Sequence, residues 1–309
     1  MFIKKKGIFL TIALVLVLAS VVSLIFLGFN LDTDFAGGMA VTYQIDADFN
    51  TADVESIVNE ALGSDQSPSS VQKSDDEVFI KFGFDNNLDS DEARDEFARG
   101  KIDAITKALT EKYGTATEEG VTGVAVKSQD IVSPDTGREL AQSAIWMSLL
   151  ACLAILLYVT FRFEFVSGAV AVLALVHDVV ILLGIYSVLQ ISVDTNFIAA
   201  VLTVLGYSIN NTIVIMDRIR ENTRHARKET YGEIANKSIV QTLTRSINTT
   251  VTTLLTIGMV YLLGVPSIQE FSLPIIIGIV VGFYSSVFVS GPLWAMWRDS
   301  AVKNKKAAK

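Results

Sequence analysis

The chain has 309 residues, half of them hydrophobic and 19% charged, with a formal net charge of −8 and a mean hydropathy of +0.45. This is too apolar for an ordinary soluble domain, and the acidic balance argues against a nucleic-acid partner. The apolar residues crowd the two ends of the sequence, whereas residues 30–138 have the composition of a soluble protein.

Taken in order, Lys4, Lys5 and Lys6 precede an apolar run at 7–29. The run is longer than a secretory h-region, and no small-x-small cleavage site closes it, so it reads as an uncleaved first transmembrane helix. Next come a strand at 40–45, a helix at 53–62 with Thr51 as N-cap, and strands at 70–73 and 77–82 joined by a turn. A helix at 90–113 follows from the spacing of Ala93, Phe97, Ile102, Ile105, Ala108 and Leu109, and a strand at 123–131 closes the segment. The order βαββαβ is that of the ferredoxin-like split βαβ unit, an α+β domain whose nearby ends suit insertion between two membrane helices.

Five more runs reach the ~20 apolar residues that a bilayer core requires: 140–161, 165–189, 197–216, 247–263 and 271–297. Residues 217–246 read as a long loop and 298–309 as a basic tail. The fold class is therefore an α-helical membrane protein of six transmembrane helices with an inserted α+β domain. The single cysteine, Cys152, lies in an apolar run, so there is no disulfide framework.

Orientation follows from Lys and Arg. With the N-terminus inside, sixteen of the 25 basic residues fall on the inner side and none on the short outer turns at 190–196 and 264–270. Residues 30–138 carry 9 basic and 23 acidic residues. Both termini are then expected in the cytoplasm, and the inserted domain outside a bacterial inner membrane.

Ionisable and amide groups inside spans are expensive and mark function. The third span holds His177 and Asp178; the fourth holds Asn210 and Asn211, then Asp217 and Arg218 at its inner end. Arg245 precedes the fifth span. At ~1.5 Å per residue, Asn211 lies roughly 10 Å from the inner edge and Arg245 roughly 12 Å, so a pairing across two helices is geometrically reasonable. Plainer readings stand beside these. Arg245 snorkels to the headgroups, Asn211 joins helices, Asp178 is satisfied by a neighbour or by His177, and Gly278 and Gly282 form a packing face. The segment Asp34-Phe35-Ala36-Gly37-Gly38 after the first span is either a hinge or a binding element. No nucleotide-binding loop, metal-ligand cluster or nucleophile with a base is present, so neither enzyme activity nor a cofactor is expected.

These motifs resemble the SecD/SecF family of protein-export subunits, in the RND-like superfamily. The resemblance covers nearly the whole chain. It is most specific at Asp34 to Gly38, at Val176-His177-Asp178, and from Phe197 through Gly206, Asn210 and Asn211 to Asp217, Arg218 and Asn222. A single short outer domain places the chain on the SecF side of the family. The resemblance implies pairing with SecD in a twelve-helix unit beside the SecYEG channel, with YajC and YidC as further partners. It implies use of the proton or sodium motive force to finish export of unfolded secretory polypeptides. It also implies a relay of an Asp in the fourth span and an Arg at the start of the fifth. Arg245 matches the Arg, but Asn211 occupies the Asp position, and Asn can neither carry charge nor exchange a proton. Either the ion step uses a carboxylate of the partner with Arg245, or coupling is weakened, or the Asn is a deliberate replacement. The alternative function is a passive chain-binding or translocon-assembly module; half a machine of this kind is not a lone exporter.

Overall fold

A computed structural model describes residues 2–63, 68, 70–84, 90–114, 123–162 and 164–307, without the side chains of 91, 152, 156, 159, 160, 162 and 302–307. The side chain of Cys152 therefore lies outside what is described. After a 3₁₀ turn at Ile3–Lys5 come α1 (Lys6–Phe26), α2 (Thr33–Ala36), β1 (Gly38–Ile45), α3 (Thr51–Leu62), β2 (Ser70–Ser74), β3 (Glu77–Gly83), α4 (Asp91–Tyr113) and β4 (Val124–Val132). Then follow α5 (Pro134–Arg162), α6 (Phe165–Leu189), α7 (Thr195–His225), α8 (Tyr231–Leu263) and α9 (Pro266–Tyr284). A π-helical segment, Ser285–Ser290, leads into α10 (Gly291–Ala307). The chain divides into two compact units, Leu31–Ile145 and Met1–Asn30 with Trp146–Lys309.

The first unit is built on a four-stranded sheet of order β2-β3-β1-β4 in which every neighbouring pair is antiparallel. Successive strand side chains point to opposite faces, so Met39, Val41, Tyr43 and Ile45 meet Val78, Ile80 and Phe82 on one face. Val54, Val58 and Leu62 of α3 and Ala98, Ile102, Ile105 and Leu109 of α4 complete that core. Tyr43 is wholly buried and donates its hydroxyl to the Ile102 carbonyl at 3.3 Å; burial pushes its phenol up to about 12. The cap of α3 corrects the sequence reading by one residue. Asn50, not Thr51, caps the helix, its side chain accepting from the Ala52 N–H. At the other end of α3, the Lys101 ammonium donates to the Leu62 carbonyl at 2.6 Å, satisfying a group the last turn leaves open.

The glycine motif after α1 has a definite job in this unit. Phe35 is buried, and Asp32, also buried, accepts from Lys81 Nζ at 2.7 Å. Gly37 has φ +82°, and a Cβ on it would lie 2.7 Å from the Pro134 nitrogen; a Cβ on Gly137 would lie 2.6 Å from the Phe35 carbonyl oxygen. The segments entering and leaving the sheet thus touch backbone to backbone, which only residues lacking a Cβ allow.

Among the described residues six helices are long and apolar enough to cross a membrane: Ile3–Phe26, Pro134–Ile155, Phe165–Leu189, Thr195–His225, Tyr231–Leu263 and Pro266–Ala301. About half of the apolar stretch of α6, of α7 and of α9 is buried, against less than a fifth for α1, α5 and α8. The first three therefore form the centre. The long loop expected between the fourth and fifth spans is mostly helix, because α7 continues to His225 and α8 starts at Tyr231. A capping box fixes that start: Thr230 accepts from the Glu233 N–H, and the Glu233 carboxylate accepts from the Thr230 N–H. Close helix contact uses small residues. Gly184 of α6 lies against Ser20 of α1, and Gly278 and Gly282 of α9 lie against Val204 and Ser208 of α7.

Candidate functional site: a buried carboxylate among three central helices

Asp178, halfway along α6, is fully buried. Its Oδ1 lies 2.9 Å from His177 Nδ1, and its Oδ2 accepts from Ser208 Oγ of α7 at 2.5 Å and from Ser285 Oγ at 2.7 Å. Ser285 opens the π-helical segment, a distortion frequent at functional sites. The next residue, Ser286, turns to Thr212 of α7 at 2.9 Å. The His177 ring stacks on Tyr284 with centroids 6.3 Å apart, and the Tyr284 hydroxyl donates to the Phe9 carbonyl of α1 at 2.8 Å. His177 Nε2, also buried, has no hydrogen-bond partner among the described residues. A carboxylate in an apolar bundle is tolerated only when hydrogen-bonded. Here two hydroxyls and an imidazole supply the bonds, and they come from three separate elements. Such a shell can hold the group charged, or pass a proton between carboxylate, imidazole and hydroxyl oxygens.

Asn211 lies on the same face of α7, three residues beyond Ser208. It is buried, and its Nδ2 lacks a partner among the described residues; so does the buried Ser246 Oγ of α8. The two helices run antiparallel, joined by Tyr207–Thr250, Arg218–Gln241 and Asn222–Ser238 hydrogen bonds. That ladder places Asn211 level with Ser246 and with its neighbour Arg245. The two residues are thus level along the paired helices, but no hydrogen bond joins them among the described residues, and Arg245 is exposed on α8. On that same face Thr249, Thr252, Thr253 and Thr256 turn their hydroxyls back to carbonyls of their own helix.

The other residues singled out by sequence are dispersed. Gly206, Asn210 and Asp217 are exposed on α7, and Arg218 bonds Gln241 and pairs with Glu221 at 2.6 Å. Asp34, Phe35, Gly37 and Gly38 belong to the first unit. The structure brings together His177 and Asp178; it adds Ser208, Ser285, Ser286 and Thr212, which sequence reasoning passed over. A signal existed: Ser285, Ser286 and Ser290 are three hydroxyls in one apolar span, and Ser208 sits inside the Gly206–Thr212 motif. Among the described residues no group of three or more His, Cys, Asp or Glu could hold a metal.

Because Gly278 faces Val204 and Gly282 faces Ser208, replacing Gly278 by Leu forces α9 away from α7 and pulls Ser285 from Asp178. Gly278→Leu is expected to destabilise the bundle by about 1–3 kcal/mol, read as a lowered unfolding midpoint in detergent.

The architecture is that of a polytopic membrane protein with an α+β unit inserted after its first helix. Residues 112–300 match the family described as protein export membrane protein SecD/SecF, C-terminal. The chain is 35% identical to the protein translocase subunit SecF of Haemophilus influenzae over 292 residues, covering 94% of this chain and 83% of the relative. It is 31% identical to the protein translocase subunit SecDF of Bacillus subtilis over 309 residues, 99% of this chain but 39% of that protein. The crystal structure of SecDF from Thermus thermophilus, a translocon-associated membrane protein, superposes with a TM-score of 0.76 at 32% identity, over 96% of this chain and 38% of that one. A second SecDF structure, in a super-membrane-facing form, gives a TM-score of 0.72 at 31% identity. The chain belongs to the SecD/SecF family, and it spans about two-fifths of the longer SecDF proteins.

Proposed function

We propose that this chain is the SecF-type subunit of a Sec protein translocase, pairing with a SecD-type subunit and using ion movement through its helical unit to promote late steps of polypeptide export. The observation that carries the reading is the Asp178 shell: a fully buried carboxylate shared among α6, α7 and the π segment in a member of this family. His177 and Asp178 are the ion-handling groups, and Arg245, level with Asn211, is a further candidate for coupling. The inserted domain, residues 30–138, lies outside the membrane and handles the unfolded chain, with both termini cytoplasmic; the skew of Lys and Arg supports this orientation. The strand order β2-β3-β1-β4 with antiparallel neighbours supports a ferredoxin-like split βαβ topology for that unit. SecYEG, YajC and YidC are the further partners this reading names, with secretory polypeptides as cargo.

One observation favours a second reading. Asn211 is uncharged where the family relay has a carboxylate, and Arg245 makes no bond to it, so a passive chain-binding module is the alternative. The deciding test is pulse-chase release of a secreted protein from cells depleted of their own SecF and supplied with this chain, with and without a protonophore. Release that this chain supports and the protonophore removes is the expected result. Release equally fast in both conditions favours the passive module.

A further inference from the structure

At the end of the helical unit that carries the chain termini, a cavity of about 180 Å³ is lined by Glu164 and Ser167 at the start of α6, Arg220 and Arg224 near the end of α7, and Trp294 of α10. It is smaller than the ~300–1,000 Å³ of small-molecule pockets but has room for a tetrahedral anion. Most of its lining side chains carry donors. The 25-residue helix α6 begins here, and its N-cap Glu164 makes no side-chain capping bond, so the first N–H groups of a long dipole are left open. Two guanidiniums line the cavity and a third, Arg298, stands beside it, 5.8 Å over the Trp294 ring. The one lining carboxylate, Glu164, is already paired with Arg298.

Trp294 is only 2% exposed, yet its indole N–H has no acceptor among the described residues, and the Arg298 Nε–H has none either. Buried donors are almost always satisfied. Two unsatisfied ones beside a cavity with two arginines call for an oxygen-rich anion. The cavity also lies where the sixth apolar span gives way to Arg298 and the lysines that follow, the depth of lipid headgroups. We propose that this cavity binds a phosphate group, either the phosphodiester of an anionic phospholipid or free inorganic phosphate. Arg220 and Arg224 supply charge, the α6 N-terminus supplies backbone donors, and the Trp294 indole supplies a directed N–H.

The test is native mass spectrometry of the full chain in detergent, titrated with dioleoylphosphatidylglycerol, with dioleoylphosphatidylcholine, and with phosphatidylglycerol in the presence of inorganic phosphate. The first phosphatidylglycerol is expected to bind at least ~10-fold more tightly than phosphatidylcholine. The pair Arg220→Gln and Arg224→Gln should remove that preference, and Trp294→Phe, which keeps the ring and loses the N–H, should weaken it at least ~3-fold. The pair Arg227→Gln and Lys228→Gln removes equal charge from the adjoining exposed turn and should leave binding unchanged. Displacement of the lipid by millimolar phosphate identifies free phosphate as the occupant; no displacement identifies the lipid. Equal binding of the two lipids, or an equal loss in the Arg227 and Lys228 control, overturns the proposal. The two cavity arginines are not buried, so their variants keep the test decisive even if Trp294→Phe folds poorly.

Discussion

Asp178→Asn is expected to reduce the protonophore-sensitive share of polypeptide release at least ~10-fold, to near the level of cells lacking the chain, while the helical unit stays folded. The amide is isosteric with the carboxylate. Its oxygen still accepts from Ser208 and Ser285, and its Nδ2 can donate to His177 Nδ1 in the tautomer that leaves that nitrogen bare. The stability loss should therefore stay near ~1 kcal/mol, the net worth of a typical hydrogen bond. What the amide cannot do is change charge. One charge moved through 100 mV yields about 2.3 kcal/mol, enough to bias a two-state equilibrium roughly fiftyfold, and the amide forfeits that drive. Ser285→Ala separates shell from charge. It leaves the carboxylate in place with one donor fewer, so its cost should fall on stability, by ~1–2 kcal/mol, more than on protonophore sensitivity. Full release by Asp178→Asn with unchanged sensitivity would remove Asp178 from the ion path and leave the passive module as the better account.

The parts of the fold legible in the sequence are those governed by a single strong rule. Six apolar runs gave six long helices, because a bilayer core sets a length that composition reveals. The strands and helices of the inserted unit followed from alternation and helical spacing. The ends of α7 and α8 were not legible by that rule. Hydropathy stops at Met216 and resumes at Ile247, but helix hydrogen bonding is indifferent to where the apolar run ends. The start of α8 was nonetheless written in Thr230-Tyr231-Gly232-Glu233, a capping-box pattern. The Asp34–Gly38 segment could be read as a hinge or as a binding element. The close approach of Pro134 and Gly137, a hundred residues away, shows that space is short there, and no local pattern contains that contact. At the site, the two titratable members stood out because charge in a span is rare. Their serine partners did not, because a serine in an apolar helix is common and is usually satisfied by its own backbone. Which face Arg245 takes was also beyond reach, since depth follows from counting but azimuth depends on how α8 packs against α7.

That azimuth makes Asn211 the most informative position to change. Asn211→Asp removes the buried Nδ2 donor, which lacks a partner among the described residues, and puts a charge in its place. The price is a new buried charge, which needs the Arg245 guanidinium within reach; a long, flexible side chain at the same depth on the neighbouring helix is suited to swing inward. Asn211→Asp is therefore expected to speed protonophore-sensitive release at least ~3-fold, and Arg245→Met in that background to erase the gain, with an interaction term within the ~0.5–3 kcal/mol of residues that touch. Arg245→Met alone, with Asn211 still uncharged, should change release far less. Additive effects of the two substitutions would mean that Arg245 faces lipid or another protein and never reaches position 211. The ion step of this chain would then rest on His177 and Asp178 without Arg245.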